Sequence, residues 1–150
     1  MKPTITWIVI ADGDKARVFE HPGPGKGLHA LRELNLDQAH LRAHDIMADR
    51  PGRVVSSNGA GSRAAVDYKT DPVEGRERHF LEHLAQMLDE KRTAKAYDRL
   101  VIVAPPTALG QLRPALTDAV RATIDAELAK DLTKIPMDKL GDHLSDVMVV

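Results

Sequence analysis

Leu100-Val101-Ile102-Val103-Ala104, closed by Pro105-Pro106, is the stretch whose reading decides the fold. An unbroken apolar run of this length is what a central strand covered on both faces presents, and proline, with no N–H to give the ladder, ends it. A sheet covered on both faces belongs to an α/β domain.

The neighbouring segments supply the cover. Upstream, Asp71 can cap a helix, Pro72 fits its first position and Glu74 can return a capping-box hydrogen bond. Phe80, Leu81, Leu84, Met87 and Leu88 then recur at helical spacing towards Ala96, while Glu82, Asp89, Glu90 and Lys91 largely avoid the stripe's centre. Downstream, a helix is expected from Pro106 to Leu116. Ile124, Ala126 and Leu128 alternate with Asp125, Glu127 and Lys130, which reads as a half-buried strand, with a helix as the competing reading. Pro136 opens a C-terminal helix through Leu140 and Leu144.

At the N-terminal end, Thr4 to Ala11 is rich in β-branched residues. Asp12-Gly13 is a turn pair that tolerates positive φ, and Lys15 to Glu20 resumes an extended pattern, giving a hairpin. The His21 to Gly27 stretch, with two prolines and three glycines, interrupts it. A third antiparallel strand is expected around Leu28 to Leu36, then a short helix from Asp37, its cap, to Ala48. These elements make one domain over residues 1–150. It contains a mixed five-stranded sheet, antiparallel in its first three strands, followed by crossover helices with at least one right-handed connection. A domain of this size buries roughly 68–70% of its unfolded surface.

Twenty-one Lys and Arg face 22 Asp and Glu, a formal net charge of −1, so any electrostatic recognition must be local. With no cysteine, disulfides, thiolate metal sites and a cysteine nucleophile are excluded. The Ile5 to Ala11 stretch is short for a signal-peptide core and runs into Asp12-Gly13-Asp14, and no segment approaches the roughly 20 apolar residues of a membrane span. The expectation is a cytoplasmic, soluble protein.

No complete catalytic centre is legible. His79-Phe80-Leu81-Glu82-His83 has the H-x-x-E-H spacing of a zinc site, but both histidines fall away from the apolar stripe and no third ligand is apparent, so they read as a solvated helix face. His40 and His44 share the spacing with less support. Asp12 and Asp14 flank a turn, where aspartate serves local backbone hydrogen bonds. Gly23 to Gly27 lacks the Gly-Lys-Ser/Thr ending of a phosphate loop and reads as an exposed turn, and no G-x-S-x-G elbow exists. No metal and no cofactor is expected.

The Arg50 to Lys69 stretch differs. Arg50, Arg53, Arg63 and Lys69 share it with one interior acid, Asp67, and Asn58-Gly59-Ala60-Gly61-Ser62 offers nearly bare backbone. Backbone N–H groups and guanidinium groups together can approach phosphates closely, which makes Arg50, Arg53, Gly59, Gly61, Ser62, Arg63 and Lys69 the candidate nucleic-acid-binding residues. The bland alternative is an unspecialised surface loop. With only Tyr68 nearby for stacking, sequence-specific single-strand reading is not expected.

Several motifs occur together in order. Ala11-Asp12-Gly13 with Ala16-Arg17-Val18-Phe19, Asp49-Arg50-Pro51-Gly52-Arg53, Thr70-Asp71-Pro72, Val103-Ala104-Pro105-Pro106 with Leu109-Gly110, and Lys130-Asp131-Leu132-Thr133 resemble the bacterial host-attachment protein family. That family is distantly similar to the middle domain of archaeo-eukaryotic peptide-chain release factors, in which a Gly-Gly-Gln loop precedes a long helix and reaches the ribosomal peptidyl-transferase centre. The resemblance implies a release-factor-like fold in which Gly59-Ala60-Gly61-Ser62-Arg63 leads to the helix starting at Asp71. The catalytic glutamine is absent here, so the resemblance implies a binding mode toward the ribosome or transfer RNA rather than hydrolysis, with Arg53 and Arg63 as main contacts. Two other functions are carried forward: a protein-interaction factor in adhesion, and a hydrolase related to release factors.

Overall fold

The computed structural model describes residues 4–41, 43, 73–148 and 150. The chain begins with β1 (Thr6–Ala11) and β2 (Lys15–His21), which form the expected antiparallel hairpin. The third strand is not continuous. It is split into β3 (His29–Ala30) and β4 (Leu36–Asp37) by a 3₁₀ turn at Arg32–Leu34, and both pieces pair with β2. Leu28, Leu31 and Leu34 are spaced by three, which matches the eclipsed repeat of a 3₁₀ turn rather than the period of two that a strand needs. The sheet therefore has six strands in five positions.

From residue 73 onward, α1 (Val73–Thr93) leads to β5 (Arg99–Val103), α2 (Pro106–Leu112), α3 (Asp118–Arg121), β6 (Ile124–Leu128) and α4 (Met137–Leu144). Strand order is β3-β2-β1-β5-β6, with β1·β5 and β5·β6 parallel and the β1·β2 side antiparallel. The helix expected to reach Leu116 stops at Leu112 because Pro114 cannot continue it, and a 3₁₀ turn at Arg113–Ala115 follows. A helix at Asp118–Arg121 was not expected; the Thr117 hydroxyl caps it by accepting from the Val120 N–H.

Strand alternation sorts the core into two layers. Trp7, Val9, Leu100 and Ile102 point into one, where Phe80, Leu81, Leu84 and Leu88 of α1 and Leu109 and Leu112 of α2 cover them. Ile8, Ile10, Val101 and Val103 point into the other, under Leu140 and Leu144 of α4. The strands β1 and β5 are thus buried on both faces, as the apolar run at Leu100 to Ala104 requires. Each such leucine stabilises by about 1.5–3 kcal/mol through burial. At the far end of α1 a Schellman-type close is made by Ala96 N–H on Lys91 O at 2.9 Å, with Lys95 in the left-handed region at φ 61. Tyr97 then tucks under, its hydroxyl donating to Leu88 O at 2.8 Å and its ring 4.9 Å from Trp7. Among the described residues no helix is long and apolar enough to cross a membrane.

Candidate functional site

In a sheet whose parallel strands are flanked by helices, ligands bind beyond the carboxyl ends of the strands. Asp12 leaves β1 at that end. Its Oδ1 accepts from the N–H groups of Asp14 at 2.8 Å and Lys15 at 2.7 Å, while its own N–H donates to Lys15 O at 2.9 Å. The carboxylate therefore organises the β1–β2 turn, as aspartate does in such turns.

Gly13 is not there for positive φ, contrary to the expectation for Asp12-Gly13. Among the described residues the glycines with positive φ are Gly25 and Gly27, in the exposed turn after β2. Gly13 is instead a point of close approach, since a Cβ there would run into the Glu77 side chain of α1.

The other flank meets the same turn. Asp37 caps a short helical stretch, its Oδ1 accepting from the His40 N–H at 2.7 Å. The next residue, Gln38, donates its backbone N–H to Asp14 O at 2.8 Å and its Nε2 to Gly13 O at 2.7 Å. Asp12, Gly13, Asp14, Gln38, Val73, Arg76 and Glu77 line a cleft of about 420 Å³. The segments on either side of residues 44–72 thus converge on one hairpin turn. The candidate residues Arg50, Arg53, Gly59, Gly61, Ser62, Arg63 and Lys69 lie outside the described residues, as do the expected caps Asp71 and Pro72.

Behind the turn, the link from β6 to α4 is held by a partly buried network. The Thr133 hydroxyl, 8% exposed, donates to Asp131 Oδ1 at 2.7 Å and lies 3.4 Å from Asp12 Oδ2. Arg17 Nη1 points at three carbonyls, of Ile135 at 2.6 Å, Thr133 at 3.2 Å and Leu132 at 3.5 Å. Burial lowers the Arg17 pKa from its ordinary value, the expected direction for a cation out of water. The guanidinium also sits 4.9 Å over the Phe19 ring. Ala11-Asp12-Gly13, Arg17 to Phe19 and Asp131 to Thr133, distant in sequence, are therefore one contact region.

These stretches fall inside the span matched by a family model described as "Protein required for attachment to host cells", residues 7–144. The chain belongs to this family. No curated protein matches it. In this host-attachment chain Asp12 holds the β1–β2 turn, and Arg17 and Thr133 hold the β6–α4 link.

The remaining sequence candidates are dispersed. His79, Glu82 and His83 are exposed on the outer face of α1, and His40 is exposed elsewhere. Among the described residues no three His, Cys, Asp or Glu come together as a group that could hold a metal ion. Sequence reasoning missed Gln38, Arg76 and Glu77. Gln38 follows a cap and reads as ordinary helix surface, and Glu77 becomes informative only once Gly13 is recognised as a contact point.

Proposed function

We propose that this host-attachment-family chain acts inside the cell as a non-enzymatic binding domain, presenting the cationic, glycine-rich Arg50 to Lys69 stretch to RNA, on the ribosome or as transfer RNA. The observation that carries the reading is the convergence of Gln38 and Glu77 on the turn at Gly13. It ties both flanks of that stretch to the carboxyl end of the parallel strands, the edge at which α/β sheets engage ligands. Four cations against one acid give the stretch the charge that phosphate contacts need. The likeness to release-factor middle domains supports the same partner class, and the missing glutamine argues for binding without hydrolysis. The contribution to attachment is then indirect. Filter binding of transfer RNA and of ribosomes by wild type and by the Arg53→Ala/Arg63→Ala double variant tests this: weaker binding by the variant is expected, and equal binding overturns it.

A further inference from the structure

Strand β6 ends the sheet, and among the described residues no strand pairs with its outer side. Leu128 O accepts from Ala104 N–H at 3.0 Å, so Leu128 faces β5 and the alternation of the strand turns the Glu127 backbone N–H and C=O outward. An outer strand with open backbone groups is a template for another strand.

Beside this edge lies a cleft of about 650 Å³, lined by Arg113, Pro114, Leu116, Arg121, Ile124 and Glu127. Its two cations are not equally neutralised. Arg113 gives both Nε (3.0 Å) and Nη2 (2.7 Å) to Glu127 Oε1. Arg121 spends Nε and Nη2 on the Arg113 carbonyl, at 3.2 and 2.7 Å. Its nearest carboxylate, Asp118, is 3.6 Å away and fully exposed, an arrangement that contributes little to neutralising the charge. Arg121 is thus held rigidly and still wants an acid, above an apolar floor of Pro114, Leu116 and Ile124 that would take a methylene stem.

The same edge resists a copy of itself. Antiparallel pairing of two β6 strands brings two acids from each copy, Asp125 and Glu127, to one seam, and like charges placed opposite one another are destabilising, whereas a strand with a single glutamate adds one acid that Arg121 can meet. The bulge between Leu100 and Val101 in the β5·β6 pairing further discourages indiscriminate pairing.

We propose that β6 is a docking edge for an extended, otherwise neutral segment of a partner protein, which adds as the next strand and places one glutamate side chain in the Arg113–Arg121 cleft. The site is on the strand farthest from the β2 side of the sheet and does not depend on the RNA reading.

The test uses the full chain, isotopically labelled, and a short synthetic peptide of alternating Thr and Val with one central Glu. Binding is expected to slow exchange of the Glu127 amide. Affinity should fall about tenfold, the loss of one charge-assisted contact, for the peptide with central Lys and for the Arg121→Glu variant. Glu127→Pro removes the outward N–H together with the carboxylate that holds Arg113, so Glu127→Gln is its control: strand addition should be abolished in the Pro variant and kept in the Gln variant, with the fold of both checked by circular dichroism. If the Pro variant does not fold, amide exchange in the wild type decides. Unchanged Glu127 exchange, equal affinity for the Lys peptide, or binding insensitive to Arg121→Glu overturns the proposal, as does transfer RNA competing the peptide away.

Discussion

Replacing Gly13 by alanine isolates the contact that fixes the candidate site. The new Cβ would stand 2.6 Å from both Cγ and Cδ of Glu77, against about 3.5–4.0 Å for relaxed carbon contacts. Because Cγ collides as well as the carboxylate, rotating the end of the side chain gives no relief. Glu77 must leave its χ1 well, at about 0.5–1.5 kcal/mol, or α1 must shift, with overpacking costs of about 1–3 kcal/mol. Glu77 is half-buried and can move toward water, so the lower part of that range applies, about 1 kcal/mol, or about 2–4 °C in Tm for a chain of this size. Urea and thermal unfolding of wild type, Gly13→Ala, Glu77→Ala and the double variant measure it. The cost of Gly13→Ala should nearly vanish in the Glu77→Ala background. An equal cost in both backgrounds would refute the packing account and return Gly13 to a purely conformational role.

Arg17→Ala removes the cation from three carbonyls and should lower the unfolding free energy by about 2 kcal/mol, read from the shift of the urea midpoint at unchanged slope. Lys95→Gly relieves a left-handed lysine and should raise stability by up to about 1 kcal/mol in the same assay. Burial pushes the Tyr97 hydroxyl up from 10.0 to about 12. Its folded pKa exceeds the unfolded one, so the stabilisation is fully present below pH 10 and is lost as pH rises toward 12. Wild type should therefore lose stability relative to Tyr97→Phe across that interval in alkaline unfolding series, and parallel curves would contradict the burial.

The elements that the sequence announces are those whose burial writes a period. Leu100 to Val103 carries no polar residue because both sheet faces are covered, and Phe80, Leu84 and Leu88 repeat because one face of α1 meets the sheet. Ile124 to Leu128 is the half-buried strand its sequence suggests, but a bulge puts Ile124 against one core layer and Ala126 and Leu128 against the other. Leu28 to Leu36 misled because its leucines mark a 3₁₀ turn lodged between two strand fragments, where a local repeat of three overrides the sheet's period. Asp118–Arg121 is too short to write a period at all, although Thr117-Asp118 is a usable cap signal. Asp12 was legible as a turn aspartate. Its neighbour was misread because glycine is selected both for positive φ and for close approach, and only the position of Glu77 separates the two. The cleft at Asp12, Gln38 and Glu77 joins residues far apart in the chain, which no local pattern encodes.

The salt dependence of transfer RNA binding tests the central claim most directly. If Arg53 and Arg63 each neutralise a phosphate, a plot of log affinity against log salt for the Arg53→Ala/Arg63→Ala variant should be shallower than wild type by about 1.4–1.8, two contacts at about 0.7–0.9 each. Two lines of the same slope and height would contradict it.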